Sequence, residues 1–336
     1  DQTNWLRYRH LRPLKKDWEG PLGKRNPELP AEMNGQIPHG ALITDHYAYN
    51  DTPFNDSGVF STFVGLHWVG DIAVEATTEI KSETGTLSLE LVEGGVKFLC
   101  HIDVSTGEAN FDWSNNFNQD SVTFEGETSH ATNVKGKGKH KILFANCDDK
   151  LFLWVDNKFV GGCEYSRTGN VVPHWSAEDG GDAEPAGIGG RGIDVEVSRL
   201  QVLRDIYYTS KNLTRQTLSK DENPSFEYTN YDPRNQVVVK GIHRLFRQPA
   251  RWSGPEAERV FSGRERDETY VLKLEENQFL PMGDNSPQSN DARTWNGARY
   301  VDGSYLLGEA LFIYWPHALT KPLPFWPNFG RMRFIR

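Results

Sequence analysis

The sequence lacks an apolar run long enough to cross a membrane. Its longest apolar stretch, Leu306 to Trp315, is about half of the ~20 residues that a bilayer requires, and Glu309 interrupts it. The chain also begins at Asp1, without an initiator Met or a charged-then-apolar leader. We therefore expect this chain to be soluble, and we expect an upstream segment, in which a membrane anchor could lie, to have been removed.

Cysteine is scarce, and basic residues are not clustered. The three cysteines, Cys100, Cys147 and Cys163, show no CxxC spacing and no histidine at a zinc-finger interval. They are predicted to be small buried side chains in or beside strands, and the alternative is that two of them form a disulfide if the compartment is oxidising.

The net charge of −9 argues against nucleic acid as a partner, because phosphate binding needs a basic surface.

The usual catalytic motifs are also missing. The chain contains no HExxH, GxSxG or GxxxxGK[ST] pattern, and its ten histidines are dispersed. Residues Gly187 to Gly192 (GIGGRG) have the letters of a dinucleotide-binding fingerprint. Phosphate binding needs a strand before that motif and a helix after it, whereas here a loop precedes it and a strand follows. We interpret the segment as a flexible turn, and we predict no cofactor and no metal.

What the sequence does contain, from about Ala41 to Thr209, is repeated β patterning. In DIAVEATTEI, Ile72, Val74, Ala76 and Ile80 alternate with polar residues, which predicts a half-buried strand. TLSLELV repeats this pattern and leads through Glu93-Gly94-Gly95, a turn signal, into an apolar hairpin partner. Short strands at such intervals, with few helix signals, indicate a two-sheet sandwich.

Two further turns and one long loop are predicted within this region. Asp148-Asp149 and Asp156-Asn157 each separate apolar runs and predict tight turns. Residues Tyr165 to Gly192 are rich in Gly, Asp, Glu and Pro and predict a long loop. Two interpretations of its acidic residues stay open, a hard cation site with oxygen ligands or a solvated loop. These residues are Glu178, Asp179, Asp182 and Glu184.

We divide the chain into domains at the points where its composition and its β patterning change. We expect an extended lead-in at 1–40, a lectin-like β-sandwich at 41–209, a polar return connection at 210–268, a segment with two strands at 269–316, and an aromatic, basic tail at 317–336. The tail is expected to pack against the preceding strands, and contact with a membrane surface is the alternative.

The segment FLPMGDNSPQSNDARTWNG, followed by LLGEALFIYWP, carries the most specific pattern in the chain. Gly283, Asp284 and Asn285 form a turn signal. Ser289, Asp291 and Arg293 follow in a Ser-x-Asp-x-Arg spacing, and Gly308 and Ala310 lie in the expected closing strand. In this order the residues resemble the terminal signature of bacterial signal peptidase I. WLRYRHL, ITDHYAYN and RDIYYT resemble, less specifically, segments that flank a large insertion in long members of that family.

The resemblance implies a fold and a function. The fold would be mainly β, a concanavalin A-like jelly-roll sandwich inserted into a partial signal peptidase I β-fold. The family removes signal peptides from exported preproteins with a serine nucleophile and a lysine base, at the outer, periplasmic face of the bacterial cytoplasmic membrane. The resemblance implies that the hydroxyl of Ser289 hydrogen-bonds the lysine amine and that Asp291 and Arg293 form an ion pair that fixes the turn. It also implies that Asp284 and Asn285 connect the turn to its neighbours by hydrogen bonds.

The nucleophile and base themselves are not found in the chain. The family's nucleophile directly precedes a methionine, but Met33, Met282 and Met332 follow Glu, Pro and Arg. The only Lys-Arg pair, Lys24-Arg25, lies in a Gly/Pro-rich stretch unlike a core strand. Ala292 and Glu309 also depart from the family's usual Ser and Arg or Lys. The chain alone is therefore expected to be inactive as a peptidase.

Two other function classes remain open for the sandwich. The chain has ten tryptophans, and Trp113, Trp154 or Trp175 could provide an aromatic platform for a glycan. Core packing is the alternative for these side chains. The sandwich could instead bind a protein partner or act as a spacer, and either role is compatible with a peptidase elsewhere in the chain.

Overall fold

The computed structural model describes residues 2–11, 40–45, 67–117, 121–169, 171–206, 208, 242, 244–261, 272–283, 289, 291–295, 297–314 and 328–335. The chain forms two compact units. The first comprises Asp1–Thr269 with Asp284–Ser289, and the second comprises Tyr270–Gly283 with Asn290–Arg336.

The first unit is mainly β and contains two six-stranded antiparallel sheets that enclose one apolar core, so the predicted sandwich is confirmed. The first sheet has the order β1-β11-β3-β4-β5-β7, with β1 Asn4–Tyr8, β3 Thr86–Glu93, β4 Val96–Asp103, β5 Glu108–Asn115, β7 Ser129–Ala131 and β11 Ala186–Arg191. The second has the order β12-β2-β8-β9-β10-β6, with β2 Ile72–Ile80, β6 Val122–Glu125, β8 Gly138–Cys147, β9 Lys150–Val155, β10 Lys158–Arg167 and β12 Val195–Arg204.

The three predicted tight turns are confirmed. Gly94 and Gly95 both have positive φ, as do Asp148 with Asp149 and Asp156 with Asn157. Two successive residues with positive φ match the twist of the flanking antiparallel strands, and Gly, Asn and Asp tolerate that conformation best. These turns therefore fix the register of β3 with β4, β8 with β9, and β9 with β10.

The alternation predicted for β2 is also confirmed. Ile72, Val74, Ala76 and Ile80 are buried in the core between the sheets, Thr78 is buried in the same alternation, and Ala73, Glu75, Thr77 and Glu79 are on the opposite face. β3 departs from the simple pattern, because its outward face is buried as well. Glu90, for example, is 2% exposed and accepts a 2.8 Å hydrogen bond from Nε of Arg7, which covers it from β1.

The interpretation of GIGGRG as a flexible turn is wrong. Residues Ala186–Arg191 form β11, which lies between β1 and β3 in the first sheet. The glycines are needed there because β1 packs closely. A Cβ atom on Gly189 would lie 2.8 Å from Cδ2 of Trp5. The sandwich thus draws one strand, β1, from the predicted lead-in, and the predicted loop shortens to the residues between β10 and β11.

A second, smaller core lies beside the sandwich in the first unit. It joins segments that precede and follow the sandwich in sequence, and the backbone N–H of Leu42 donates to the carbonyl of Phe246 at 3.0 Å. The helix α1 (Pro255–Phe261) contributes to it, residues 242 and 244–246 are also helical, and Pro249–Arg251 forms a 3₁₀ turn nearby. Its buried members are Leu42, Trp68, Ala183, Ile242, Leu245, Phe246, Trp252, Ala257 and Phe261.

The second unit contains two short hairpin-like pairings. β13 (Gln278–Phe279) pairs with β14 (Val301–Asp302), and β15 (Phe312–Ile313) pairs with β16 (Arg333–Phe334). Three 3₁₀ turns, Ala292–Thr294, Gly303–Tyr305 and Phe329–Arg331, connect them. The pairing of β16 with β15 agrees with the expectation that the tail packs against the preceding strands.

The two longer strands predicted for 269–316 are only partly formed. Gly308 and Ala310 lie outside any strand, and the prediction of a closing strand around them is wrong for the described structure. Strands need a hydrogen-bonding neighbour, and residues 306–310 are paired with no strand in the described part of the chain. The carbonyl of Leu311 accepts the N–H of Ile335 at 3.0 Å, beside the β15–β16 pairing. Among the described helices, none is long and apolar enough to span a bilayer.

Candidate functional site

The segment from Pro281 to Thr294 is organised around one buried carboxylate. Asp291 is 6% exposed and accepts hydrogen bonds from Nε and Nη2 of Arg293 at 2.8 and 2.7 Å. It also accepts the backbone N–H of Gly283 at 3.0 Å. The ion pair that the family resemblance implied between Asp291 and Arg293 is therefore present, and it closes the two ends of the loop onto each other.

Two backbone contacts complete this closure. The N–H of Ala292 donates to the carbonyl of Pro281 at 3.1 Å, and Asp291 caps the short 3₁₀ turn by accepting from the N–H of Arg293. Ala292 is fully buried. A serine at this position would need a partner for its hydroxyl.

The remaining residues of the predicted site are distributed differently. Ser289 is half-buried and belongs to the first unit, whereas Asp291 and Arg293 belong to the second. Asp284 and Asn285 lie outside the described residues. Glu309, which replaces the family's usual basic residue, is exposed.

The second unit exposes an unusual amount of apolar surface around the expected closing strand. Leu307 is 104% exposed, and Leu311 and Tyr314 are 72% and 76% exposed. Isolated apolar side chains on a surface are ordinary, but consecutive ones mark a surface that another element covers.

The acidic loop between β10 and β11 is held by the protein's own donors. Asp182 is 2% exposed and accepts backbone N–H groups from Gly94, Gly95 and His174 at 2.8, 2.8 and 2.7 Å. Burial raises the pKa of Asp182 to about 6, against the opposing effect of these three donors. The loop is thus fastened to the turn between β3 and β4, and neither a solvated loop nor a free set of cation ligands describes it.

Two other acidic residues of this loop are engaged in the same way. Asp179 accepts from Nζ of Lys97 at 2.5 Å and from Nδ2 of Asn116 at 2.9 Å, and these contacts lower its pKa against the effect of burial. Glu184 pairs with Arg9. A shallow cavity with a volume of about 180 Å³ lies over this pair and is lined in part by Trp175.

The three tryptophans considered as glycan platforms lie in different environments. Trp113 packs against the core between the sheets, and Trp175 packs against the second core. Trp154 lies on the outward face of β9, where its ring centroid is 5.6 Å from Phe152 and 5.5 Å from Phe159. Core packing is therefore confirmed for Trp113 and Trp175, and Trp154 retains an outward position.

A cluster that sequence patterns did not indicate lies at the end of β2. Asp71, Cys147 and Asp148 place their oxygen and sulfur atoms within 4.8 Å of one another. Burial, followed by the nearby carboxylates of Glu93, Asp148 and Asp205, raises the pKa of Asp71 to about 7. Asp71 and the adjacent pair Cys147 and Asp148 come from two separate segments, and the register of β2 with β8 brings them together.

The cysteines are free thiols. Cys100 and Cys163 are buried in the sandwich core, as predicted, and Cys147 is half-buried at the acidic cluster. Burial and the neighbouring carboxylates, Asp71 first among them, raise the pKa of the Cys147 thiol to about 12. A thiol held in its protonated form is a poor nucleophile.

Comparisons with known proteins give similarity of architecture alone. Neither a family model nor a curated protein matches the chain. Among solved structures, the carbohydrate-binding module CBM66 from Bacillus subtilis is similar over 40% of this chain and 75% of its own, with 12% identity and a TM-score of 0.27.

Two galectins are similar to the same extent. Sheep galectin-11 matches at 12% identity over 40% of this chain and 90% of its own, and galectin LEC-6 from Caenorhabditis elegans matches at 10% over 39% and 84%, each with a TM-score of 0.27. The sandwich of this chain is therefore established by its own two sheets, and these neighbours share its general β architecture.

Proposed function

We propose that this chain is the outer part of a bacterial signal peptidase I that carries a β-sandwich insertion and obtains its nucleophile and general base from sequence upstream of Asp1. Its substrates would be the signal peptides of exported preproteins, and its place would be the outer face of the cytoplasmic membrane. The chain by itself would not cleave a peptide bond.

The observation that carries the proposal is the closure of the loop by Asp291. This carboxylate accepts from Gly283, eight positions before it, and from Arg293, two positions after it, and both contacts are within the second unit. Asp291 and Arg293 are residues of the motif Ser-x-Asp-x-Arg, whose serine is Ser289. These contacts support a peptidase role because Gly283, Asp291 and Arg293 flank Ser289 in the sequence, and a catalytic hydroxyl must be held within a fraction of an ångström.

The chemistry requires such a positioned hydroxyl. A lysine with an ordinary pKa of ~10.4 accepts a proton near neutral pH only when burial lowers its pKa. A hydroxyl that hydrogen-bonds the amine directs its lone pair toward the nucleophile. In this proposal Ser289 is that positioning residue, and Asp291, Arg293, Asp284 and Asn285 support the loop that carries it.

The exposed apolar surface of the second unit gives separate support. Leu306 and Leu307 are 52% and 104% exposed, and residues 306–310 have no strand partner in the described part of the chain. The proposal assigns their cover to the β-strands that the upstream half of the enzyme would supply. An apolar edge that is completed by another element is the expected form of a partial β-fold.

The test begins with the upstream coding sequence, which must encode an apolar span, a Ser-x-Ser-Met segment and a Lys-Arg strand. The full-length protein in detergent is then assayed on a fluorogenic leader peptide with an Ala-x-Ala site. Ser289→Ala is expected to lower kcat at least tenfold and to shift the pH–rate profile to higher pH, with little change in KM. Ser289→Thr should restore much of the activity.

Ser198→Ala, on an exposed position of the sandwich, is the matched control and should leave turnover unchanged. Two results would contradict the proposal. One is an upstream sequence without the Ser-Met and Lys-Arg segments. The other is steady turnover by the isolated chain that survives Ser289→Ala.

A further inference from the structure

The outward face of the second sheet carries a continuous apolar strip. In a sandwich this face is expected to be polar, because alternate residues of each strand face solvent. Here Leu203 is 44% and Phe159 is 59% exposed, and the other members are half-buried. We name this feature the outer strip, and its members are Leu203, Leu143, Ala145, Phe152, Trp154 and Phe159.

Strand register aligns the strip in two rows that run across the sheet. Leu203, Ala73, Ala145 and Phe152 are successive partners in one row, and Leu143, Trp154 and Phe159 in the other. From β12 to β10 the strip crosses five strands, or about 19 Å at ~4.8 Å per strand, and it is about 7 Å wide along the strands. The strip is therefore long and narrow.

Three aromatic rings form one end of the outer strip. The centroid of Trp154 lies 5.6 Å from Phe152 and 5.5 Å from Phe159. A Cβ on Gly162 would lie 3.1 Å from Cδ1 of Phe152, so the glycine lets this ring lie against the strand. Because the rings support one another, their exposed surface is held in place before any ligand binds.

Polar groups border the outer strip along both sides. On one side Glu75 forms an ion pair with Nζ of Lys141 at 2.9 Å, beside Thr77. On the other side lie Asp71 and Asp148, whose carboxylates are close together at the end of β2. Carboxylate oxygens accept hydrogen bonds from hydroxyl groups, and such charge-assisted bonds are strong.

We propose that the outer strip binds a neutral linear glycan laid across the strands. Sugar rings present apolar C–H faces that suit aromatic side chains, and their hydroxyls would reach the polar borders. The carboxylates of Asp71 and Asp148 would repel an anionic polymer at that side of the strip, whereas the other side carries the Glu75–Lys141 pair and Nζ of Lys150 lies 5.9 Å from the centroid of the Phe152 ring. A stable protein interface needs about 800 Å² from each partner, whereas the strip offers about 130 Å² from the strand spacing and residue rise. This inference does not depend on the peptidase proposal.

The test is isothermal titration of the full chain with four neutral hexasaccharides: cellohexaose, laminarihexaose, chitohexaose and mannohexaose. At least one is expected to bind with a Kd between about 1 μM and 1 mM. Trp154→Ala and Phe159→Ala should each weaken that binding about tenfold, and Trp154→Phe should weaken it less because a ring remains. Phe329→Ala removes an exposed ring in the second unit and serves as the matched control.

The variants change outward side chains, and circular dichroism and the melting temperature will establish that each one folds. Absence of binding to all four probes would overturn the proposal, as would binding that both alanine variants leave unchanged. Sedimentation provides a separate outcome against it. Self-association of the chain that Trp154→Ala abolishes would assign the outer strip to a second copy of the protein instead.

Discussion

Asp182 and Gly95 lie 87 positions apart in the sequence, and the carboxylate of Asp182 accepts a 2.8 Å hydrogen bond from the backbone N–H of Gly95. Asp182→Asn would turn an amide N–H₂ group toward one of the three backbone donors at this site. We expect the variant to lose about 2–3 kcal/mol of unfolding free energy, because a buried donor would lose its acceptor. Urea unfolding measures the loss, and the exposed Asp194→Asn is the control.

The pair formed by Asp291 and Arg293 is nearly buried, with side-chain exposures of 6% and 9%. Asp291→Asn leaves the guanidinium without its countercharge and is expected to destabilise the second unit by about 3 kcal/mol. Hydrogen exchange at the backbone amides of Gly283 and Arg293 should accelerate. The control is Glu309→Gln, which also removes one negative charge but at an exposed position of the same unit, and it should leave those amides protected. Unchanged protection in Asp291→Asn would contradict the closure described above.

Asp71 gives the sandwich a defined dependence on pH. Burial raises its pKa from 3.8 to about 7. At pH values between these two, the folded protein therefore keeps a proton on Asp71 that the unfolded chain has already released. Stability should therefore fall as pH rises from about 4 to about 7 and stay lower above that range. Asp71→Asn is expected to raise stability at pH 8 by on the order of 1 kcal/mol after allowing for solvent screening, and to change it little at pH 4.

The comparison for Asp71 is Glu79→Gln, which removes the same charge at an exposed position of β2. Thermal melting of both variants from pH 4 to pH 8 separates the local effect from the change in net charge. An equal gain in the two variants, or a gain for Asp71→Asn that is largest at pH 4, would be inconsistent with a raised pKa.

Gly189 permits β1 to approach β11. Gly189→Val would place side-chain atoms against Trp5, whose Cδ2 would lie 2.8 Å from the new Cβ, and we expect a cost of about 2 kcal/mol or more. Combining Gly189→Val with Trp5→Ala should recover part of that cost, so that the double variant is less destabilised than the sum of the single ones. Strictly additive unfolding free energies would show that the two residues do not clash.

The strands that sequence predicts best are those with an apolar side chain at every second position. β2 shows this alternation clearly, and Asp-Asp and Asp-Asn between apolar runs identify the two turns around β9. β11 could not be predicted from such alternation, because Gly187, Gly189 and Gly190 have no side chains. The approach of Trp5 from β1 explains the glycine at 189, and Cγ2 of Ile193, 2.5 Å from where a Cβ on Gly190 would lie, explains the glycine at 190.

The candidate sites divide in the same way. The spacing of Asp291 and Arg293 is local, and the ion pair could be predicted from the resemblance alone. The outer strip and the cluster at Asp71 depend on register between strands distant in sequence, since Leu203 meets Ala73 and Asp71 meets Cys147 only after the sheet forms. Sequence could single out Trp154 as a candidate platform, but it could not place Phe159 and the acidic border beside it.

Strands β2 and β12 are antiparallel neighbours, and the first residue of β2, Ile72, is directly opposite the last residue of β12, Arg204. The segment from Ile72 to Arg204 therefore begins and ends at Cα positions about 5 Å apart. Close ends of this kind are typical of segments that tolerate insertion or removal, but β1 pairs with β11, so removal of residues 72–204 would also leave β1 without its partner strand. A short peptide bridge from residue 71 to residue 205 would be enough to close that gap.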